Sequence, residues 1–144
     1  MPPYHHTQFG WTAGFIVLVA DTFAIVIVAL AGAAWAALLV VGGSALVFLL
    51  FGWLTVHVDD ERLRLRFGLG VVRRSWRLAD ITRAQTVRNP WYVGWGIRLL
   101  PRRTVFNVSG FDAVEFELRS GKIYRIGTDD APALLAAVER DIGR

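Results

Sequence analysis

The pattern of hydrophobic positions in this chain changes near residue 56. Residues 9–56 are almost continuously apolar, and these 48 residues contain one formal charge, Asp21. About 20 apolar residues span the hydrocarbon core of a bilayer, so this stretch is too long for one crossing and predicts a two-helix transmembrane hairpin. We expect the first helix at residues 9–30 and the second at about 35–54, with a turn of small residues between them.

Three tryptophans indicate the depth of this hairpin, because Trp collects at membrane interfaces. Trp11 and Trp53 mark one interface and Trp35 marks the other. Asp21 then lies level with Ser44 near the middle of the membrane. Inserting a carboxylate at that depth costs about 2.5 to 3.5 kcal/mol of free energy. It is either a proton relay or partner contact, or a neutral acid that hydrogen-bonds Ser44 or a backbone carbonyl. Neither helix contains another ionisable group, which favours the hydrogen-bonded acid.

After residue 56 the apolar residues recur at every second position, which is typical of half-buried strands. Leu63, Leu65 and Phe67 alternate with arginines, for example. The pattern predicts about seven strands, at residues 54–58, 62–67, 72–78, 81–87, 104–108, 113–118 and 123–126.

The turn between the last two strands allows two registers. A two-residue turn would place Arg125 on the face of Phe116. A three-residue loop with Gly121 at positive φ pairs Leu118 with Tyr124 and keeps Arg125 outside. We favour the three-residue loop.

A C-terminal helix is predicted after the last strand. Residues 128–130 supply capping oxygens, Pro132 suits a first helical turn, and Leu134, Val138 and Ile142 share one face with Leu135. This helix should cover the open end of the strands. The chain thus divides into an N-terminal arm (1–8), the hairpin (9–56) and a small α+β domain (57–144).

This order of elements resembles the bacterial pleckstrin-homology-like (PH-like) membrane proteins. The resemblance includes the loop WYVGWGIR at 91–98, VSG at 108–110, AVEFEL at 113–118 and IGTDD at 126–130. It implies an antiparallel β-sandwich or barrel capped by the C-terminal helix, acting as a ligand or partner module without catalytic residues. In eukaryotic relatives a basic pattern in the first hairpin binds phosphoinositides. The comparable hairpin here is rich in arginine, although no motif matches residue by residue.

Composition and charge indicate the cellular compartment and the orientation in the membrane. The chain has a mean hydropathy of +0.42 and no cysteine, which excludes disulfides and thiolate metal sites. All 16 basic residues follow the hairpin, so the positive-inside rule predicts a multi-pass plasma-membrane protein with both termini in the cytoplasm. The alternative is a signal peptide cleaved near residues 31–33. The missing positive n-region and the second apolar run argue against it.

The domain's charge is uneven along the chain. Residues 62–103 contain 11 arginines and one acid, a net charge of +10, whereas residues 104–144 carry −2. Arginines this close to the hairpin would lie near an anionic cytoplasmic leaflet. Six of them form a candidate lipid or partner site: Arg62, Arg64, Arg66, Arg73, Arg74 and Arg77. The alternative, an ordinary solvated strand face, remains open.

Trp91, Tyr92 and Trp95 share one Gly-containing loop. They could enter the headgroup layer or contact a partner. Because aromatic side chains are more often buried, we expect them to close the end of the sandwich.

Enzyme motifs are absent from the sequence, and we predict neither catalysis nor a cofactor. His5, His6 and His57 are too few and too scattered for a metal cage, and the first two should belong to a flexible arm. The predicted function is a membrane-anchored scaffold that binds a protein partner or anionic lipid. The alternative is an accessory subunit of a transporter or envelope enzyme, packed through the hairpin and Asp21. Nucleic-acid binding is disfavoured because no RRM, OB or helix-turn-helix signature accompanies the charge.

Overall fold

The computed structural model describes residues 3–140 and 142. In that part of the chain there are three α-helices: α1 (Trp11–Leu30), α2 (Ala36–Phe51) and α3 (Ala131–Glu139). There are also nine strands: β1 (Tyr4–Phe9), β2 (Trp53–Val58), β3 (Arg62–Phe67), β4 (Val72–Arg77), β5 (Ile81–Arg88), β6 (Gly96–Leu100), β7 (Arg103–Asn107), β8 (Asp112–Leu118) and β9 (Ile123–Gly127).

The two long helices lie side by side as a hairpin, but they differ in length. Helix α1 has 20 residues and is long and apolar enough to cross a membrane. Helix α2 has 16 residues, shorter than predicted, which corresponds to roughly 24 Å. It ends early because Trp53 is already paired with Phe9 in a sheet.

The N-terminal arm is a strand, which corrects the prediction of a flexible segment. Strand β1 pairs with β2 residue by residue, from Tyr4 opposite Val58 to Phe9 opposite Trp53. The sheet therefore begins before the hairpin, and a domain starting at residue 57 would lack β1 and most of β2. Polar residues dominate β1, so it carries no alternation by which to recognise it. Residues 1–2 of the predicted arm lie outside the described residues.

The strands form two sheets. The first has the order β1-β2-β3-β4 and the second β5-β8-β9-β7-β6. Neighbours are antiparallel except β7 and β9, which run parallel. All seven predicted strands are present, while β1 and the edge strand β6 were missed. The predicted α+β class with a C-terminal helix is confirmed, but β1 precedes the apolar helices, and the parallel pair β7 and β9 departs from the expected antiparallel arrangement.

One hydrophobic core lies between the two sheets and α3. Trp76 from the first sheet contacts Phe106, Phe116 and Tyr124 of the second, with ring centroids 6.0, 5.1 and 4.9 Å away. Helix α3 covers this core with Leu134, Val138 and two buried alanines. Its predicted cap is present, since the Asp130 carboxylate accepts a hydrogen bond from Ala133 N at 3.3 Å.

The turn between β8 and β9 is the three-residue loop that we favoured. Gly121 has φ +79°, and Leu118 N donates to Lys122 O at 2.9 Å. The register differs from the prediction, because Tyr124 lies opposite Phe116 rather than Leu118. A shift of two residues keeps every side chain on its predicted face. Arg125 therefore points away from Phe116, although it is buried there by neighbouring side chains.

Candidate anion-binding face

Three arginines of β3 lie on the outer surface of the first sheet. Leu63, Leu65 and Phe67 are buried in the core, and strand alternation turns the residues between them outward. Across to β4, Arg66 lies opposite Arg73, Arg64 opposite Ser75, and Arg62 opposite Arg77. Five of the six predicted arginines thus share one face, which we call the basic face.

Arg74 is the exception among the six. It lies opposite Leu65, on the other side of β4, where its position at the sheet edge leaves it exposed. It still borders the shallow depression on the basic face, which has a volume of about 710 Å³. Other residues around this depression are His5, His57, Arg64, Arg66 and Arg73.

The histidines at this face were missed as site residues. His5 and His57 lie opposite each other on β1 and β2, with ring centroids 5.9 Å apart. Their proximity depends on β1, which no sequence pattern announced. Within residues 3–140 and 142, no three His, Asp or Glu side chains gather closely enough to hold a metal ion.

Positive charge on the basic face is only partly balanced. Arg64 pairs with Asp59 at 3.0 Å. Burial would raise the pKa of Asp59, but hydrogen bonds from the backbone N–H groups of Glu61 and Arg62 and the charge of Arg64 together hold that pKa below its ordinary 3.8. The carboxylate is therefore ionised at neutral pH and neutralises one guanidinium.

Arg66 and Arg73 have no such partner. Arg73 Nε donates to Gly70 O at 2.8 Å. Neither guanidinium makes an ion pair with a carboxylate among the residues that the structure describes. Like charges directly opposite on neighbouring strands are destabilising. A phosphate between them would remove this repulsion, and guanidinium groups bind phosphate oxygens in a bidentate manner.

The basic face has one end near the hairpin and one end far from it. The turn after β3 contacts the last turn of α2, where Leu69 N donates to Leu49 O at 3.1 Å. Arg66 and Arg73 flank this turn. Arg62 and Arg77 lie four residues further along their strands, roughly 13 Å away. Arg66 and Arg73 thus form a pair close to the helices, and Arg62 and Arg77 form a second pair of the same charge farther away.

The aromatic loop does not close the end of the core as expected. Trp91 and Tyr92 are exposed and contact each other, with ring centroids 6.1 Å apart. Trp95 is partly buried and borders a cavity of about 500 Å³ at the junction of the domain and the hairpin. The expectation of burial was wrong for Trp91 and Tyr92 because the loop lies outside both sheets.

Asp21 and Ser44 meet across the two long helices, at equal depth in the hairpin. The Ser44 hydroxyl donates a hydrogen bond to Asp21 Oδ1 at 2.8 Å. The carboxyl group thus has a polar partner within the apolar hairpin, as a structural role requires. This pair and the basic face belong to separate parts of the molecule.

No protein-family model, curated protein or solved structure matches this chain. Function must therefore be inferred from the geometry of the site itself.

Proposed function

We propose that this chain is a non-catalytic, membrane-anchored binding module, with a PH-like domain whose basic face binds the phosphates of anionic lipids in the cytoplasmic leaflet. The observation that carries the proposal is the unbalanced pair Arg66 and Arg73 beside the end of α2. The PH-like assignment is supported by two sheets around one core and by the C-terminal helix α3, with β1 and β6 as additions.

The proposed membrane topology is supported by the hairpin and by the distribution of charge. Helix α1 is long enough to cross a bilayer, and residues 1–56 contain no Lys or Arg. We propose that α2 returns the chain to the same side, which leaves both termini in the cytoplasm. A tag at either terminus should then be shielded from protease in intact cells. A C-terminal tag cleaved from outside would contradict this topology.

The distances along the basic face determine which arginines reach lipid. Trp11 is exposed and Trp53 is partly buried, and both lie at the domain end of the hairpin. As interfacial aromatic residues they mark the headgroup level. An arginine near that level gains about 1 kcal/mol from an anionic leaflet, and this gain decays over a Debye length of about 8 Å. Arg66 and Arg73 lie within that range. At roughly 13 Å further out, Arg62 and Arg77 should retain about one-fifth of the effect.

This difference allows a matched test. The full chain is reconstituted in phosphatidylcholine bilayers that contain spin-labelled phosphatidylglycerol or spin-labelled phosphatidylcholine. Electron paramagnetic resonance then measures the relative association of each lipid with the protein. We compare wild type with Arg66→Gln/Arg73→Gln and with Arg62→Gln/Arg77→Gln, two variants that remove the same charge.

Wild type should prefer phosphatidylglycerol and lose most of this preference in 0.5 M salt, where the Debye length is only about 4 Å. The Arg66/Arg73 variant should lose most of the preference at low salt, and the Arg62/Arg77 variant should lose little. Equal losses in the two variants would indicate that the lipid preference depends on the net charge of the protein and not on a specific site. No preference in wild type would overturn lipid binding and favour a protein partner.

A second candidate function, an accessory subunit packed through the hairpin, is supported by the small residues along the helices. Gly10, Gly14 and Gly43 border the junction cavity, and small residues allow close approach of another helix. Purification in mild detergent followed by mass spectrometry tests this alternative. A stoichiometric membrane partner that is lost on Gly14→Leu and retained on Arg66→Gln/Arg73→Gln would favour it.

A further inference from the structure

The exposed apolar residues of the domain are concentrated at the end that faces the hairpin. Outside α1, α2 and their connecting turn, eight large hydrophobic residues are exposed in the described chain. Two of them, Leu99 and Leu100, lie at the far end, near the β6–β7 turn. The other six are Phe9, Leu69, Val71, Trp91, Tyr92 and Phe111. An apolar cluster on one end of a domain is typical of an interaction surface.

Leu69 and Val71 belong to the turn between β3 and β4, residues 68–71, which we call the turn tip. Gly68 N donates to Trp53 O at 2.8 Å, and the turn tip is also bonded to α2 through Leu69. A Cβ at Gly68 would collide with the carbonyl oxygens of Leu49 and Leu50. The turn tip is thus held against the last turn of α2, although Leu69 is 61% exposed.

Trp91 and Tyr92 belong to the loop 89–95, which we call the aromatic tip. Asn107 Nδ2 donates to Gly94 O at 3.3 Å and to Gly110 O at 3.1 Å, which joins this loop to the end of β7. The segment after β7 is also joined to the end of β1, just before α1, since Gln8 Nε2 donates to Ser109 O at 3.1 Å. The aromatic tip therefore lies beside the hairpin as well, on the side of the second sheet.

Both tips combine apolar residues with nearby arginines. Arg66 and Arg73 lie next to Leu69 and Val71 in the β3–β4 hairpin. Near the other tip, the Arg88 guanidinium lies 5.8 Å from the centre of the Phe111 ring. Apolar and aromatic groups with cations immediately behind them match a membrane interface, where acyl chains lie below the phosphates.

We infer that the turn tip and the aromatic tip both insert into the interfacial layer of the leaflet that the hairpin enters, so that the domain rests on the bilayer at three points. This inference depends on the proposed membrane anchoring but not on selectivity for anionic lipid. It fixes the orientation of the domain, because the two tips belong to different sheets and both lie beside the hairpin. The basic face then stands upright, with Arg66 and Arg73 at phosphate depth.

The test uses the absence of cysteine from the sequence. Single substitutions Leu69→Cys and Tyr92→Cys place a fluorescent NBD label on each tip, at sites exposed enough to tolerate it. Leu99→Cys is the matched control, an apolar residue that is 81% exposed at the far end. Phe23→Cys, within α1, reports whether the hairpin itself lies in the bilayer. The full chain is reconstituted in nanodiscs with lipids that carry doxyl quenchers at shallow or deep positions, and iodide serves as the aqueous quencher.

Labels at residues 69 and 92 should lose fluorescence to the shallow doxyl lipid and resist iodide. The label at residue 99 should do the reverse, and the label at residue 23 should respond to the deep quencher. If labels 69 and 92 behave like label 99 while label 23 is quenched, the hairpin is inserted but the tips are not, and the inference is wrong. If label 23 meets no lipid quencher, membrane anchoring fails and the inference fails with it.

Discussion

Replacing Arg125 by Met tests how the aromatic tip is held in place. Arg125 is 7% exposed on the outer side of β9. Its Nη2 and Nε donate to Glu115 Oε2 at 2.5 and 3.1 Å, and its Nη1 donates to Asn89 Oδ1 at 2.8 Å. Asn89 begins the aromatic tip, and its N–H bonds Phe111 O at 2.6 Å. One guanidinium thus joins β9, β8 and the tip.

The cost of this substitution can be worked out from the partners that remain. Removing one member of a buried ion pair typically costs about 3–5 kcal/mol, because the other charge is left buried. Here Glu115 would keep Gln85 at 3.2 Å and Arg103 at 3.7 Å, and 14% of its side chain is exposed. We therefore expect Arg125→Met to lower the free energy of unfolding by about 2–3 kcal/mol, below the typical range.

The assay is urea unfolding of the full chain in mild detergent, monitored by near-ultraviolet circular dichroism. Lys122→Met, an exposed charge in the adjoining loop, is the control and should change stability by less than about 0.5 kcal/mol. Adding Glu115→Gln to Arg125→Met should restore part of the loss, because the carboxylate that has lost its closest partner is then replaced by a neutral amide. A double-mutant cycle then gives the coupling energy, which we expect to be about 1–2 kcal/mol.

Two results would refute this reasoning. Arg125→Met could prove as harmless as Lys122→Met, or the two substitutions at 125 and 115 could be additive. The tip supplies a second measurement, since loss of the bond to Asn89 should also make an NBD label at residue 92 more accessible to iodide. Unchanged accessibility in a destabilised Arg125→Met variant would show that the guanidinium stabilises the sheet without positioning the tip.

Three further predictions concern pH, the hairpin and the turn tip. Burial would raise the pKa of Glu115, but hydrogen bonds from Arg125 and Gln85 and the nearby positive charges hold that pKa below its ordinary 4.5. Folding stability should therefore fall as the pH drops below 4.5, and it should fall less in Arg125→Met. Asp21→Asn should insert and fold like wild type in detergent thermal scans, because the amide still accepts from Ser44; a misfolded Asn variant would indicate that the acid itself is required. Gly68→Ala should cost more stability in urea than Gly121→Ala, since both have positive φ but only residue 68 meets backbone carbonyls; equal costs would contradict the contact with α2.

The elements that the sequence predicted well are those whose packing leaves a periodic pattern. Leu63, Leu65 and Phe67 are all buried, so β3 alternates clearly and its arginines could be assigned to one face. The capping oxygen of Asp130 likewise marks the start of α3. Each of these signals is local and needs no knowledge of the partner element.

The elements that were missed depend on distant partners. Strand β6 is an edge strand with Arg98, Leu99 and Leu100 all exposed, so it has no buried face to produce alternation. Strand β1 is positioned by pairing with β2, whose residues lie about 44 to 54 positions further along the chain. The candidate site was therefore predicted only in part. Its arginines could be predicted, whereas the nearby His5 and the contact of the turn tip with α2 could not.

Because β1 and β2 lie on either side of the hairpin in the chain, folding of the first sheet depends on the hairpin. Strand β1 precedes α1 and pairs with β2 after α2, and Gly10 N donates to Gly52 O at 2.8 Å where the four elements meet. The first sheet can be completed only once α1 and α2 lie antiparallel, because only then are β1 and β2 adjacent. Without β1, the backbone of β2 would form an exposed edge, a common cause of aggregation. We therefore expect residues 53–144 alone to aggregate, and their recovery as a folded monomer by size-exclusion chromatography would show that the domain does not need its N-terminal strand.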